Sequence, residues 1–269
     1  MATTDSEQAT GESSTSDKMV EFDAPSDDLG YGWSAFKRYW VDMWVDTRWF
    51  LCKHWVAILV LTVVVLLWCF YAVRPYDRAW LDFYQSLGGG KKSTTMELAN
   101  FIGDSGDLAQ FNIIVTAGLW FFGRWLKKKN WQRIAMASLM SCLLAGIFCN
   151  IFRPTLGRPR PSAQERENLE DRFYGPKVKS HYHGFPSGHT ATAFGTAVPV
   201  AICAPQIGIP VLGYAGAMAW SRMYQRQHHP TDVIVGGFIG TVFGVAAAAA
   251  VRRRNRRHGL LPVRDFGEE

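Results

Sequence analysis

"WVAILVLTVVVLLWCFYAV", residues 55 to 73, runs for nineteen positions without a charge. A helix of that length crosses a hydrocarbon core of roughly 30 Å. A helix on the surface of a soluble domain shows a polar face every third or fourth position, and this one shows none. The stretch predicts a membrane span, so the rest of the chain is read from a bilayer outward.

Five further apolar runs follow, at Leu108 to Phe122, Trp131 to Phe152, His189 to Ala204, Ile207 to Met223 and Val233 to Val251. Only Pro205 and Gln206 separate the fourth span from the fifth, which predicts a tight helical hairpin. The expected fold is all-α: a polytopic membrane helix bundle of about six transmembrane helices over residues 55–251. Residues 1–30 are polar and acidic with no apolar stretch, which predicts a disordered acidic tail and no cleaved signal peptide. In residues 31–54, Trp33, Trp40, Trp44 and Trp49 recur among Lys, Arg and Asp. That pattern fits an amphipathic helix in the membrane interface, and equally a polar start to the first span. Residues 252–269 form a basic tail.

The 269 residues carry a formal net charge of +6, and its placement decides what it means. "GRWLKKKNWQR" lies between spans two and three, and "RRRNRRHG" follows span six. Excess Lys and Arg mark cytoplasmic loops, so both termini are expected in the cytoplasm of an integral inner or plasma membrane protein. The basic balance then reports topology, and no nucleic acid partner is needed. The loop from residue 153 to 188 is also basic yet falls on the opposite, non-cytoplasmic face, which marks it as a functional charge cluster. The five cysteines suggest neither a disulfide framework nor a metal site; Cys69, Cys142, Cys149 and Cys203 lie in apolar runs as small hydrophobes.

Three polar clusters share that non-cytoplasmic face: "RPTLGRPRP" (Arg153 to Pro161), "PSGH" (Pro186 to His189) and "SRMYQRQHHPTD" (Ser221 to Asp232). Arg153, Arg160 and Arg222 offer planar forks that match phosphate oxygens, and Arg158 could share them. Ser187 and Gly188 open a helix whose N-terminal amides favour an anion. Phosphate binding alone needs no histidine. His228 precedes Asp232 by four residues, a spacing at which the carboxylate can accept the Nδ1 proton and leave Nε2 as base or nucleophile. His189 supplies a second imidazole, so the set offers nucleophile, general acid and charge clamp.

These clusters resemble the signature of the type 2 phosphatidic acid phosphatase (PAP2) superfamily: Lys, six residues, Arg-Pro; then Pro-Ser-Gly-His; then Ser-Arg, five residues, His, three residues, Asp. The resemblance covers roughly residues 55–251 and points to the integral-membrane branch. One position departs from it, since Arg153 stands where the family usually has Lys, a larger fork in place of a point charge. The resemblance implies a metal-independent phosphatase without cofactor, acting on a phosphorylated lipid substrate among membrane lipids. His228 would attack phosphorus, Asp232 would hold its ring and His189 would protonate the leaving group. Arg153, Arg160, Ser187, Gly188 and Arg222 would stabilise the phosphoryl centre. A lipid phosphotransferase with the same site, or a non-enzymatic anion-binding membrane protein, remains the alternative. The vanadium haloperoxidases share the anion pocket but are soluble, which six apolar spans oppose. The sequence does not give the oligomeric state.

Other motifs read more plainly. The family spacing selects His228 over His229. His181 and His183 are expected to be solvated or to touch a head group, as is Arg226, and "ERENLED" (165–171) to be a solvated loop or short helix. Gly88 to Gly90 with Lys91 and Lys92 lacks P-loop spacing and reads as a turn. "GDSGD" (103–107) reads as a turn and helix cap, and "GGFIG" (236–240) as a small-residue face that packs within the bundle.

Overall fold

A computed structural model describes residues 33–86, 93–107 and 109–257. The expected acidic tail, the Gly88–Gly90 turn with Lys91 and Lys92, and the chain beyond residue 257 lie outside the described residues. Among the described residues the α-helices are α1 (Trp33–Lys53), α2 (Trp55–Trp68), α3 (Asp77–Ser86), α4 (Thr94–Asp107), α5 (Gln110–Trp125), α6 (Lys129–Leu156), α7 (Pro161–Glu167), α8 (Gly188–Cys203), α9 (Pro205–Tyr224) and α10 (Pro230–Arg257), with an irregular loop over most of residues 168–187. Among the described residues there is no strand, only a single bridge pairing Arg158 with His183.

Among the described residues, three helical segments are long and apolar enough to cross a membrane: Trp55–Tyr84, Lys129–Leu156 and Pro230–Arg256. The first extends past the expected Val73, because a π-turn (Cys69–Val73) and a 3-10 turn (Arg74–Tyr76) join α2 to α3. The other three predicted spans fold as α5, α8 and α9, of 16, 16 and 20 residues. The expected α8–α9 hairpin turns at Ala204, whose φ of −144° and ψ of 72° leave the helical region. Pro205 causes this, since a proline ring crowds helical dihedrals in the residue before it.

The two kinds of span differ in what they cover. No residue of α2 is buried, and Leu59, Val60, Val63, Val64 and Leu67 all face outward. A helix that is apolar all round and exposed in the protein is solvated by lipid tails. Helix α8 is the opposite: Ala191, Ala193, Ala197 and Val200 are buried between α6, α9 and α10. Small residues allow that approach. A Cβ on Gly236 would lie 2.4 Å from the Ser187 carbonyl oxygen, and one on Gly240 would lie 2.2 Å from that of Ala191. The "GGFIG" stretch therefore packs within the bundle, as expected.

Because the two nearest atoms at Gly240, the Ala191 carbonyl oxygen and the Gly195 nitrogen, are backbone, no side-chain rotation relieves an added methyl. Gly240→Ala is expected to destabilise the fold by about 1–3 kcal/mol. Gly237→Ala, whose Cβ would meet nothing nearer than 3.6 Å, should leave the melting temperature in detergent unchanged.

At the other end of the bundle, the expected interfacial segment is helix α1, which packs along α10. Buried Asp46 pairs with Arg253 at 3.2 Å and Arg254 at 2.5 Å, and Arg254 also reaches Asp42 at 3.0 Å. Helix α10 continues through the first part of the basic segment, to Arg257. Asn255 bonds both Arg133 and Asn130, which brings the two basic segments to one end of the bundle.

Candidate active site

The site is assembled from three helix ends on the opposite side. Arg153 occupies the last turn of α6, where its Nε donates to the Pro186 carbonyl at 3.1 Å. That bond lays its guanidinium against the first residue of α8: a Cβ on Gly188 would lie 2.9 Å from Arg153 Cζ. Only a glycine allows this contact. Nη2 of Arg153 is buried with no protein partner. Ser187 holds the N-cap position of α8, but its hydroxyl pairs with Thr190 Oγ1 at 3.0 Å in place of a backbone amide. Its own N–H donates to the Asp232 carbonyl at 2.9 Å, which docks α8 onto α10.

His228 is fully buried in the turn between α9 and α10. Its Nδ1 lies 2.6 Å from the Gly184 carbonyl oxygen, an acceptor only, so Nδ1 carries the proton and donates. Nε2 is then the lone-pair nitrogen, and it is buried without a protein partner. Burial, together with the positive groups Arg153, Arg160, Arg222 and His189, pushes the imidazole pKa well below the usual 6.5. Arg160 is steadied by Gln227, and Arg222 lies beside α4, where a Cβ on Gly103 would be 3.0 Å from its Nη1. His189 packs in the same way against Gly106.

Two expectations are altered. Asp232 was expected to accept the His228 Nδ1 proton; its nearer oxygen is 3.8 Å away, and the Gly184 carbonyl takes that bond. The Asp232 carboxylate instead accepts from Arg158 Nη1 at 2.6 Å and from the His229 backbone N–H at 2.7 Å. Arg158 was expected to be able to share the phosphate. It is wholly buried, and its five N–H donors are all occupied: Nε and Nη2 by Asp171, Nη1 by Thr231 and Asp232, and Nη2 again by Asp77. Burial works against its charge, but Asp232, Asp171 and Asp77 more than reverse that effect.

The remaining sequence candidates fall outside this centre. His183 donates from Nε2 to the Lys177 carbonyl, His181 lies 3.6 Å from Glu167, and Arg226 pairs with Glu165 instead of meeting solvent alone. The "ERENLED" stretch is partly helix α7, and its Asp171 is drawn inward by Arg158. Residues 103–107 form the last turn of α4, not a cap for α5. Gly103, Gly106 and the Gly184 carbonyl were not singled out by sequence. A backbone oxygen has no signal in sequence, but the two glycines stood in a motif already noticed.

His229 is also buried, and its Nε2 meets the Gln164 amide nitrogen at 3.0 Å. Burial, then the Arg158 charge, bring its pKa to about 4. Between about 6.5 and 4 the unfolded imidazole binds a proton that the folded one refuses, so stability falls as pH drops through that window. The melting temperature is expected to decline from pH 6.5 to 4.5, and His229→Gln should make that decline shallower while leaving the share that His228 contributes.

Comparison with known proteins places this geometry. Residues 134–256, which hold all three clusters, match the family model of the PAP2 superfamily. The chain is 31% identical over 123 residues to the lipid A 4'-phosphatase of Bacteroides thetaiotaomicron, covering 43% of this chain and 54% of that protein. It is 25% identical over 120 residues to the lipid A 1-phosphatase of Rhizobium johnstonii, covering 45% of this chain and 49% of that protein. The chain thus spans about half the length of the curated relatives it matches. The crystal structure of a transmembrane PAP2-type phosphatidylglycerolphosphate phosphatase from Bacillus subtilis superposes with a TM-score of 0.52 at 18% identity. That match covers 78% of this chain and 98% of that one, and it is a likeness of fold.

Proposed function

Residues 134–256 belong to the PAP2 superfamily, and on that footing we propose that the protein is a membrane lipid phosphatase. It hydrolyses a phosphomonoester or pyrophosphate of a lipid through a phosphohistidine. One observation carries the reading: a buried His228 whose tautomer leaves the Nε2 lone pair open, facing three arginines and a second histidine.

In the first step the Nε2 lone pair forms a bond to phosphorus while the bond from phosphorus to the leaving oxygen breaks. His189 gives that oxygen a proton. The phosphorylated ring is cationic, with its Nδ1–H held by the Gly184 carbonyl and the Asp232 carboxylate 3.8 Å away to offset the charge. In the second step water attacks phosphorus, His189 takes its proton, and the P–N electrons return to Nε2. Arg153, Arg160 and Arg222, with the amides that follow Ser187 and Gly188, hold the equatorial oxygens throughout.

A lipid substrate is supported by position. The reacting groups lie at helix ends, and an apolar cavity of about 690 Å³ between α2, α6 and α10 reaches Phe185 and Pro186 beside them. The named relatives act on lipid A, so the phosphate of an acylated sugar is the first substrate to try. The basic residues at the ends of α6 and α10 support a reading in which the termini are cytoplasmic and the site faces the opposite side.

The test uses purified protein in detergent with 32P-labelled lipid phosphates and EDTA present. Label retained on the protein after alkaline quench but lost in acid is the expected mark of phosphohistidine. Release of phosphate with no trapped label under any quench would sink the mechanism, and loss of activity on chelation would sink its metal independence.

A further inference from the structure

The mechanism above leaves one large charged group unused. Among the described residues Arg158 is the largest fully buried side chain, and its donors all go to Asp77, Asp171, Thr231 and Asp232. Its side chain binds Asp232 at 2.6 Å, and its own carbonyl accepts the Gly184 N–H at 2.8 Å. Gly184 and Asp232 are the two groups that face Nδ1 of His228, at 2.6 and 3.8 Å.

We propose that Arg158 is the positioning residue of the site, clamping from one side chain and one carbonyl the two groups that orient the His228 ring. The inference rests on the reading of His228 as nucleophile. Asp77 and Asp171 hold the clamp in turn. Asp77 reaches Arg158 at 2.9 Å and Thr231, one residue before Asp232, at 2.6 Å through its hydroxyl. Asp171 takes the remaining edge of the guanidinium as a bidentate pair, at 2.8 and 2.7 Å. Segments far apart in sequence, around residues 77, 158, 171, 184 and 232, are thereby tied to one ring.

The clamp also sets the electrostatics of the nucleophile. Arg153 from α6, Arg160 from the loop after it, His189 from α8 and Arg222 from α9 face His228 with positive charge, while Asp232 from α10 is the carboxylate beside it. Arg158 directs that carboxylate towards itself. With the carboxylate released from Arg158, its negative charge is no longer offset and can close on Nδ1 from 3.8 Å, so the imidazole holds a proton to higher pH and the Nε2 lone pair is lost earlier on acidification.

Arg158→Lys tests this, because lysine keeps the charge but cannot match three carboxylates with a planar fork. Full deletion would leave buried carboxylates without a cation, so Asp171→Asn serves as the milder second variant. In Arg158→Lys, kcat is expected to fall on the order of 100-fold, the scale of a small misplacement of a reacting group. KM should stay within about threefold, since the phosphate-binding arginines are untouched. The acidic limb of the pH profile should move to higher pH. Asp171→Asn should show the same shifts, smaller in size.

A readout independent of turnover is 15N-histidine NMR of the full protein in detergent, with His228→Asn identifying the ring signals. The wild type should show an Nδ1–H, Nε2-lone-pair ring that persists below pH 6.5, and Arg158→Lys should raise its titration midpoint. A lower melting temperature with kcat per folded molecule, pH limb and ring signals all unchanged in both variants would reduce Arg158 to a structural ion pair. Should the wild type release phosphate from no lipid while the ring signals still shift, the phosphatase reading fails and the positioning role stands.

Discussion

His228→Asn is expected to lower phosphate release by about 10⁴-fold or more, with the protein folded and its melting temperature close to wild type. Removing the nucleophile from a catalytic unit eliminates nearly all that the unit contributes, because the remaining members have no bond to form. Asparagine is chosen because an amide N–H can still reach the Gly184 carbonyl that Nδ1 reaches at 2.6 Å. The buried turn between α9 and α10 therefore keeps its internal bond while the lone pair at Nε2 disappears. Measured beside wild type on the same lipid, activity within tenfold would show that His228 is not the nucleophile. His229 does not offer a replacement, since its Nε2 already meets Gln164.

Arg153→Ala is expected to lower kcat by about 10²–10³-fold, or roughly 3–4 kcal/mol of transition-state stabilisation. The guanidinium is held by Nε on the Pro186 carbonyl and lies flat against Gly188, with Nη2 buried and unmatched by protein. A buried donor without a partner is costly unless a ligand completes it, and the phosphoryl oxygens are the natural acceptors. Arg153→Lys should recover most of the rate, since an ammonium supplies the same charge on a shorter reach. Steady-state kinetics with both variants decide this. Equal losses in Ala and Lys would mean that the fork, not the charge, matters; no loss in either would remove Arg153 from the site.

Both predictions concern residues visible in the sequence, and the reason is local spacing. Phosphate chemistry requires arginines, a helix N-terminus and histidines, and each cluster occupies a few consecutive residues at a helix end. The chain cannot move those residues apart without breaking the helix that presents them. The apolar runs were legible for a similar reason: a bilayer makes the length and purity of each run a direct physical requirement. The packing face of α10 was legible because glycines four residues apart fall on one side of a helix.

The supporting groups were hidden because their partners are distant in the chain. Arg158 reads as one more arginine in a basic loop, and by composition alone it could as well have met the phosphate. Its role depends on Asp77, 81 positions earlier, and Asp232, 74 positions later, converging on one guanidinium. The four-residue spacing of His228 and Asp232 suggested a hydrogen bond, but it could not reveal two competitors for the same atoms. The Gly184 carbonyl reaches Nδ1 first, and Arg158 takes the carboxylate.

The sequence by itself determined the membrane bundle and named the candidate site residues, because hydropathy and helix-end chemistry act over a few neighbouring residues. Tertiary structure alone decided which nitrogen of His228 is free, what Asp232 binds and that Arg158 is spent on carboxylates. Those outcomes depend on which buried donors and acceptors meet once five distant segments pack together, because in a low-dielectric interior a buried polar group left without a partner is costly.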